Sequence, residues 1–186
     1  MQLTDREAWL LNFYRNSELH GALLMGKLAR AVRDRAVLRC LTEHCATEAH
    51  HAALLTDLID EFDAPLDPHL QTIQERYCAQ GGIAGGIIDS LVLSDTLEKR
   101  VLLSYRKHLG HGDAHPRVME TLTRILHEME EEENGEHAGW IERELKNHPH
   151  EAVEASEAKW RAVDERVAAE LHRWVDEYFI QKVVPA

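Results

Sequence analysis

The sequence predicts an all-α protein. Four long antiparallel helices, with a long crossover between the second and third, are followed by a fifth helix at the C-terminal end. Two observations carry this. Apolar residues recur with a helical period along almost the whole chain, and no period-2 strand pattern appears. Proline and glycine fall between the periodic segments, at Pro65, Pro68, Gly81, Gly82, Gly85, Gly86, Gly110, Gly112 and Pro149. Two hairpins joined by a crossover fit one antiparallel four-helix bundle with a fifth helix docked on it. The 186 residues then make one domain, its bundle core at about 4–146 and the extra helix at about 151–183.

Each element has its own signals. The first helix starts at Thr4, where Thr4 and Glu7 make a capping box, and runs to about Val32. Its buried stripe is Leu11, Tyr14, Glu18, Ala22, Met25 and Ala29. The second runs from about Asp34 to Phe62 and ends before Pro65, with Val37, Leu41, Leu55, Ile59 and Phe62 on its stripe. Residues 63–86 form the crossover, with a short helix around His69 to Cys78. Its glycines lack the Gly-Lys-Ser/Thr of a phosphate loop and read as a flexible link. The third helix runs from about Ile87 to Leu109 and carries Leu91, Glu98, Leu102 and Tyr105. After the break at Gly110-His111-Gly112-Asp113, the fourth begins at Pro116, a favoured first-turn residue, and continues to about Lys146. Its stripe is Val118, Leu122, Leu126, Met129, Glu133, His137 and Trp140. The fifth, from about Glu151 to Val183, shows Trp160, Val163, Val167, Leu171, Trp174 and Tyr178 on one face.

Lys and Arg number 21 against 33 Asp and Glu, a formal net charge of -12. That balance argues against a general nucleic-acid or anionic-membrane binder. No run of about twenty apolar residues exists, so no membrane span is expected. The N-terminal residues lack a signal-peptide pattern, which points to the cytoplasm. Cys40, Cys45 and Cys78 show no Cys-x-x-Cys spacing, so they imply neither a disulfide framework nor a thiolate zinc site.

The chemistry-bearing residues lie inside the apolar stripes. Glu48 and His51 are three apart on the second helix and share one face. A carboxylate and an imidazole in an apolar seam are costly unless something pairs with them. Iron, manganese and zinc all accept both as ligands. Each bundle helix carries one such acid: Glu18, Glu48, Glu98 and Glu133. Two also carry a histidine, His51 and His137. The first two helices turn near Arg33, midway between Glu18 and Glu48, so those two share a level. The midpoint of Glu98 and Glu133 falls near His115 and Pro116, about four residues or roughly 6 Å from that alignment.

This pattern resembles the ferritin-like superfamily of di-iron carboxylate proteins, which includes rubrerythrins, bacterioferritins and di-iron oxidases. The resemblance covers about residues 8–145. In that family two helices give one Glu each and two give a Glu-x-x-His. Glu18 and Glu98 match the single carboxylates, and Glu48 with His51 matches the first Glu-x-x-His. The run Glu132-Glu133-Asn134-Gly135-Glu136-His137 stands at the second motif and departs from it. Asn134 is three before His137, whereas Glu133 is four before. Either Asn134 is a weakened ligand or Glu133 is the carboxylate, and one turn of helix separates Glu133 from His137. Asp95, one turn before Glu98, reads either as the hydrogen-bond acceptor for the second nitrogen of His51 or as a surface acid. Tyr14 and Tyr105 read as core tyrosines near the ligands, and His50 points to another face.

The resemblance implies two iron ions, with manganese accepted by the same ligands. It also implies activation of O₂ or peroxide to oxidise a small organic substrate. Iron oxidation for storage and a rubrerythrin-like peroxidase activity are its alternatives, although no Cys-x-x-Cys iron domain is attached. A monomer or homodimer goes with small-molecule chemistry, a large hollow assembly with storage. The non-enzymatic alternative is a metal-free helical binding or scaffold module in which the same residues form buried ion pairs.

Overall fold

The computed structural model describes residues 3–110, 114–134 and 139–180, with 132–134 and 172–180 described as backbone only. Every regular element among them is a helix: α1 Asp5–Ala29, α2 Arg35–Glu61, α3 Ile73–Gly81, α4 Ile87–Leu109, α5 Pro116–Asn134, α6 Trp140–Leu145 and α7 His150–Ile180. Among the described residues no helix is long and apolar enough to cross a membrane.

The starts of the first three helices follow from local side-chain chemistry. Thr4 accepts from the Glu7 amide while the Glu7 carboxylate reaches back to the Thr4 amide, which satisfies two end groups at once. Asp34 accepts from the amides of Ala36 and Val37. Thr72 and Glu75 repeat the capping box at α3, which is the short helix expected in the crossover, placed a few residues later.

Packing sets the direction of the helices. Along α1 and α2, Arg15 reaches Thr56, Glu18 reaches His51, and Cys45 donates to the Ala22 carbonyl. Partner numbers fall as α1 rises, so the pair is antiparallel. The same reasoning applies to α2 and α5, where Arg117 pairs with Glu61 and Arg124 contacts His50. The crossover is strapped along α1. Asn12 donates to the Pro65 carbonyl and accepts from the Asp67 amide, Asn16 donates to the Asp67 and Leu70 carbonyls, and Gln74 donates to the Ser17 carbonyl. Hence Asn12 and Asn16 are buried although they lie off the apolar stripe. Two half-buried aspartate anchors fasten α7. Asp89 of α4 accepts from Ser156, Lys159 and Trp160, and Asp164 pairs with Arg100 through two hydrogen bonds and accepts from the Tyr77 hydroxyl.

One expected element is corrected. The fourth helix does not run unbroken to Lys146: among the described residues α5 covers Pro116–Asn134 and α6 begins afresh at Trp140. Between them Gly139 takes a left-handed backbone, φ +64°, which glycine adopts without steric penalty and which ends the helical register. Burial on α5 also runs through Ile125, fully inaccessible, with the expected Leu126 only half-buried beside it.

The core is divided. One apolar cluster gathers Leu11, Tyr14, Leu55, Ile59, Tyr77, Tyr105, Leu122 and Trp160. A smaller one gathers Met25, Leu28, Leu41, Leu91 and Trp140. On α2 the residues between Leu41 and Leu55, and on α1 those between Tyr14 and Met25, include the polar residues described next.

Candidate functional site

A buried layer of acids and imidazoles separates the two apolar clusters. Helix α1 contributes Glu18, 3 % exposed, and α2 contributes His44 and His51, 6 % and 1 % exposed. Glu48 lies between these two histidines on α2, Glu98 and Tyr105 come from α4, and Glu128 from α5. Helical spacing explains the α2 group: positions 41, 44, 48, 51 and 55 advance by alternate threes and fours and keep to one face.

The contacts form two halves, and Glu48, in contact with His44, feels the charge of Glu18 in the other half. In one, His51 Nδ1 lies 3.3 Å from Glu18 Oε2 and Nε2 lies 3.3 Å from Glu128 Oε2. The second contact is close but off hydrogen-bond alignment. The Tyr105 hydroxyl donates to the other Glu18 oxygen. In the second half, His44 Nε2 lies 3.3 Å from Glu48 Oε1 and 3.0 Å from Glu98 Oε1.

Charge crowding perturbs these groups. Burial, and then the charge of Glu18, push Glu48 up to about 8, against the pull of His44. Burial alone would lower His51. The hydrogen bond and charge of Glu18, joined by Glu48 and Glu128, more than reverse this, and its pKa is raised. Burial opposes the ionised form of Glu128, yet Arg124 and His51 hold its pKa below the usual carboxylate range. Tyr105 is pushed far up by burial and by Glu18, so it stays a hydrogen-bond donor.

Glu18, Glu48, His51 and Glu98 are thus four of the expected residues, and they meet in one layer. His137 and the side chain of Glu133 lie outside the described residues. Asp95 does not support His51. Its carboxylate is 2.7 Å from Lys99 Nζ one turn on, and the second nitrogen of His51 faces Glu128 instead. His50 is exposed, on a different face, as expected. Tyr14 and Tyr105 are buried and meet edge to face with ring centroids 4.7 Å apart. Two members of the layer, His44 and Glu128, were not anticipated. His44 had a signal, because it lies on the same heptad stripe as Leu41 and Leu55. Glu128 had none, since it borders the stripe beside Met129 and enters the layer only through the packing of α5 on α2.

The donor chemistry suits a metal of intermediate hardness. Metal bonds to histidine nitrogen and carboxylate oxygen are about 2.0–2.2 Å long, so two adjacent ligands at right angles stand about 3 Å apart. The four imidazole–carboxylate separations, 3.0 to 3.3 Å, match that spacing. Among the described residues no group of three or more such side chains is placed so that it could hold a metal ion as it stands. The donors are held against one another instead. A cavity of about 380 Å³ opens beside them, walled by Leu102, Met129, Trp140 and Ile141 and floored by His44, Glu48, His51 and Glu98. Comparison with protein-family models, with curated proteins and with solved structures gives no significant match.

Proposed function

We propose that this chain is a ferritin-like di-iron carboxylate protein, built on a four-helix bundle of α1, α2, α4 and α5, that activates O₂ or peroxide in the cytoplasm to oxidise a small organic substrate. One observation carries the reading: in one largely buried layer drawn from three helices, Glu18 stands 3.3 Å from His51, and Glu48 and Glu98 stand 3.3 and 3.0 Å from His44. Iron held there would supply the electron-transfer steps that reduce oxygen, and manganese fits the same donors.

The chain's own residues do the rest. Glu48 stands between Glu18 and Glu98, close enough that both charges raise its pKa, which suits a carboxylate shared by two cations. Tyr105 fixes the orientation of Glu18 through its hydroxyl. His51 holds a proton between Glu18 and Glu128 until a cation displaces it. The cavity is within the range of small-molecule pockets, and its Leu102, Met129 and Trp140 wall offers apolar contact while excluding water.

The second reading, a metal-free bundle, has its own support: in the layer each imidazole already faces two carboxylates, so both histidines have ion-pair partners without metal. Anaerobic loading with Fe(II), followed by measurement of iron per chain and of O₂ consumed, separates the two. Bound iron that Glu48→Ala lowers supports the di-iron reading; a purified protein that takes up no iron defeats it. Size-exclusion chromatography then divides oxidase from storage, because a hollow assembly favours storage and a monomer or homodimer favours small-molecule chemistry.

A further inference from the structure

We infer that His44 is the imidazole ligand of the second metal position, so that one helix, α2, supplies both histidines. The inference rests on the di-iron reading above. It starts from the division of the layer into two halves. Around His51 stand Glu18 and Glu128; around His44 stand Glu48 and Glu98. Each half then holds one histidine between two carboxylates, and the charge of Glu18 reaches Glu48 across the two. The numbers of donors match, and their separations match too, since the His44 contacts of 3.3 and 3.0 Å bracket the same adjacent-ligand spacing as the 3.3 Å between His51 and Glu18.

One further observation points the same way. His44 is 6 % exposed on a helix face otherwise given to Leu41 and Leu55. Its two partners there, Glu48 and Glu98, are carboxylates, so a cation held among the three would meet a donor on each side.

The test is cobalt titration of the full chain, read by metal content and by the visible absorption of bound Co(II). Nitrogen hyperfine coupling in protein labelled with ¹⁵N-histidine supplies a second readout. Wild type is expected to take up about two Co(II) per chain. His44→Gly should fall to about one while keeping its helical circular dichroism. Free imidazole, admitted through the cavity that His44 lines, should restore the second ion and its absorption. His137→Ala should keep both. If His44→Gly retains two ions with unchanged absorption, or His137→Ala loses one, the inference is overturned and the di-iron reading stands. If wild type binds no Co(II) and no Fe(II), the di-iron reading itself has failed. If imidazole leaves the variant at one ion and the hyperfine signal of wild type shows only one histidine environment, His44 is an ion-pair partner and not a ligand.

Discussion

Gly21 of α1 leaves the space that the Glu48 carboxylate fills. A β-carbon at position 21 would lie 2.8 Å from Glu48 Cδ and closer still to Oε2. Glycine in a helix interior costs roughly 1 kcal/mol relative to alanine, so its presence in the middle of α1 calls for a reason. The atom in the way is the far end of a flexible side chain, and the backbone has no need to move. Gly21→Ala should therefore leave the metal-free protein as stable as wild type or slightly more stable, while weakening iron binding because Glu48 is turned out of the layer. Thermal unfolding and iron content measured on the same preparation check this. A variant that binds iron normally shows that Glu48 has another place to stand.

Tyr105 ties the larger apolar cluster to the acid layer. Its ring packs on Tyr14 and its hydroxyl donates to Glu18. Tyr105→Phe keeps the ring contact and removes only the donor. A hydrogen bond to a charged, buried acceptor is worth about 1.5–3 kcal/mol, so a loss of that order is expected in urea unfolding of the metal-free protein. A loss below about 0.5 kcal/mol would mean that Glu18 finds another donor.

How much of this was legible in the sequence depends on range. The cap at Thr4, the start of α2 near Asp34 and the full span of α4 were readable because their causes lie within a few residues. So were Glu18, Glu48, His51 and Glu98, whose polarity stands out against an apolar period. His44 was equally readable on that period, and the attention given to the Glu-x-x-His pair hid it. The pairing of Asp95 with Lys99 was also local, an i,i+4 contact, but a metal-centred reading assigned the acid to His51. The burial of Asn12 and Asn16 was not readable, since it exists only because the crossover docks along α1 some fifty residues away. The interruption between α5 and α6 turned on whether Gly139 sits in a helix or ends one, and its left-handed backbone decides that only in the folded chain.

The anchors of α7 predict an acid sensitivity. Burial opposes ionisation of Asp89, but Lys159, the Gly85 amide, Ser156 and Trp160 outweigh it and hold its pKa below the usual range. Burial likewise opposes ionisation of Asp164, and Arg100 and Tyr77 outweigh it. A carboxylate with a depressed pKa stabilises the fold fully above its ordinary pKa and loses that contribution as pH falls through the depressed value. Docking of α7 should therefore hold at neutral pH and weaken below about pH 4. Asp89→Asn should move the onset of acid unfolding to higher pH, and Trp160, fully buried in the wild type, should report the release as a red shift in fluorescence. An acid transition unchanged by Asp89→Asn would remove this anchor from the account.

Metal binding and stability should respond to pH in opposite directions. Glu48 is raised to about 8 and His51 is raised above its ordinary value. A group with a raised pKa in the folded state contributes stability that is complete below its ordinary pKa and is lost as pH rises through the raised one. For Glu48 that window runs from the ordinary glutamate range up to about 8. His51 acts in the same sense above the ordinary histidine range. The metal-free protein should accordingly become less stable between about pH 5 and 8, by up to roughly 1.4 kcal/mol per pH unit for each proton involved. A cation must displace those same protons, so its affinity should rise across the window, about tenfold per pH unit for each proton released, and level off once Glu48 has ionised. Urea unfolding without metal and Co(II) titration with it, both run from pH 5.5 to 9, give the two curves. Glu48→Gln should flatten the first and lower the second. Two curves that rise together would show that the layer is not short of positive charge, and the metal reading would lose its electrostatic basis.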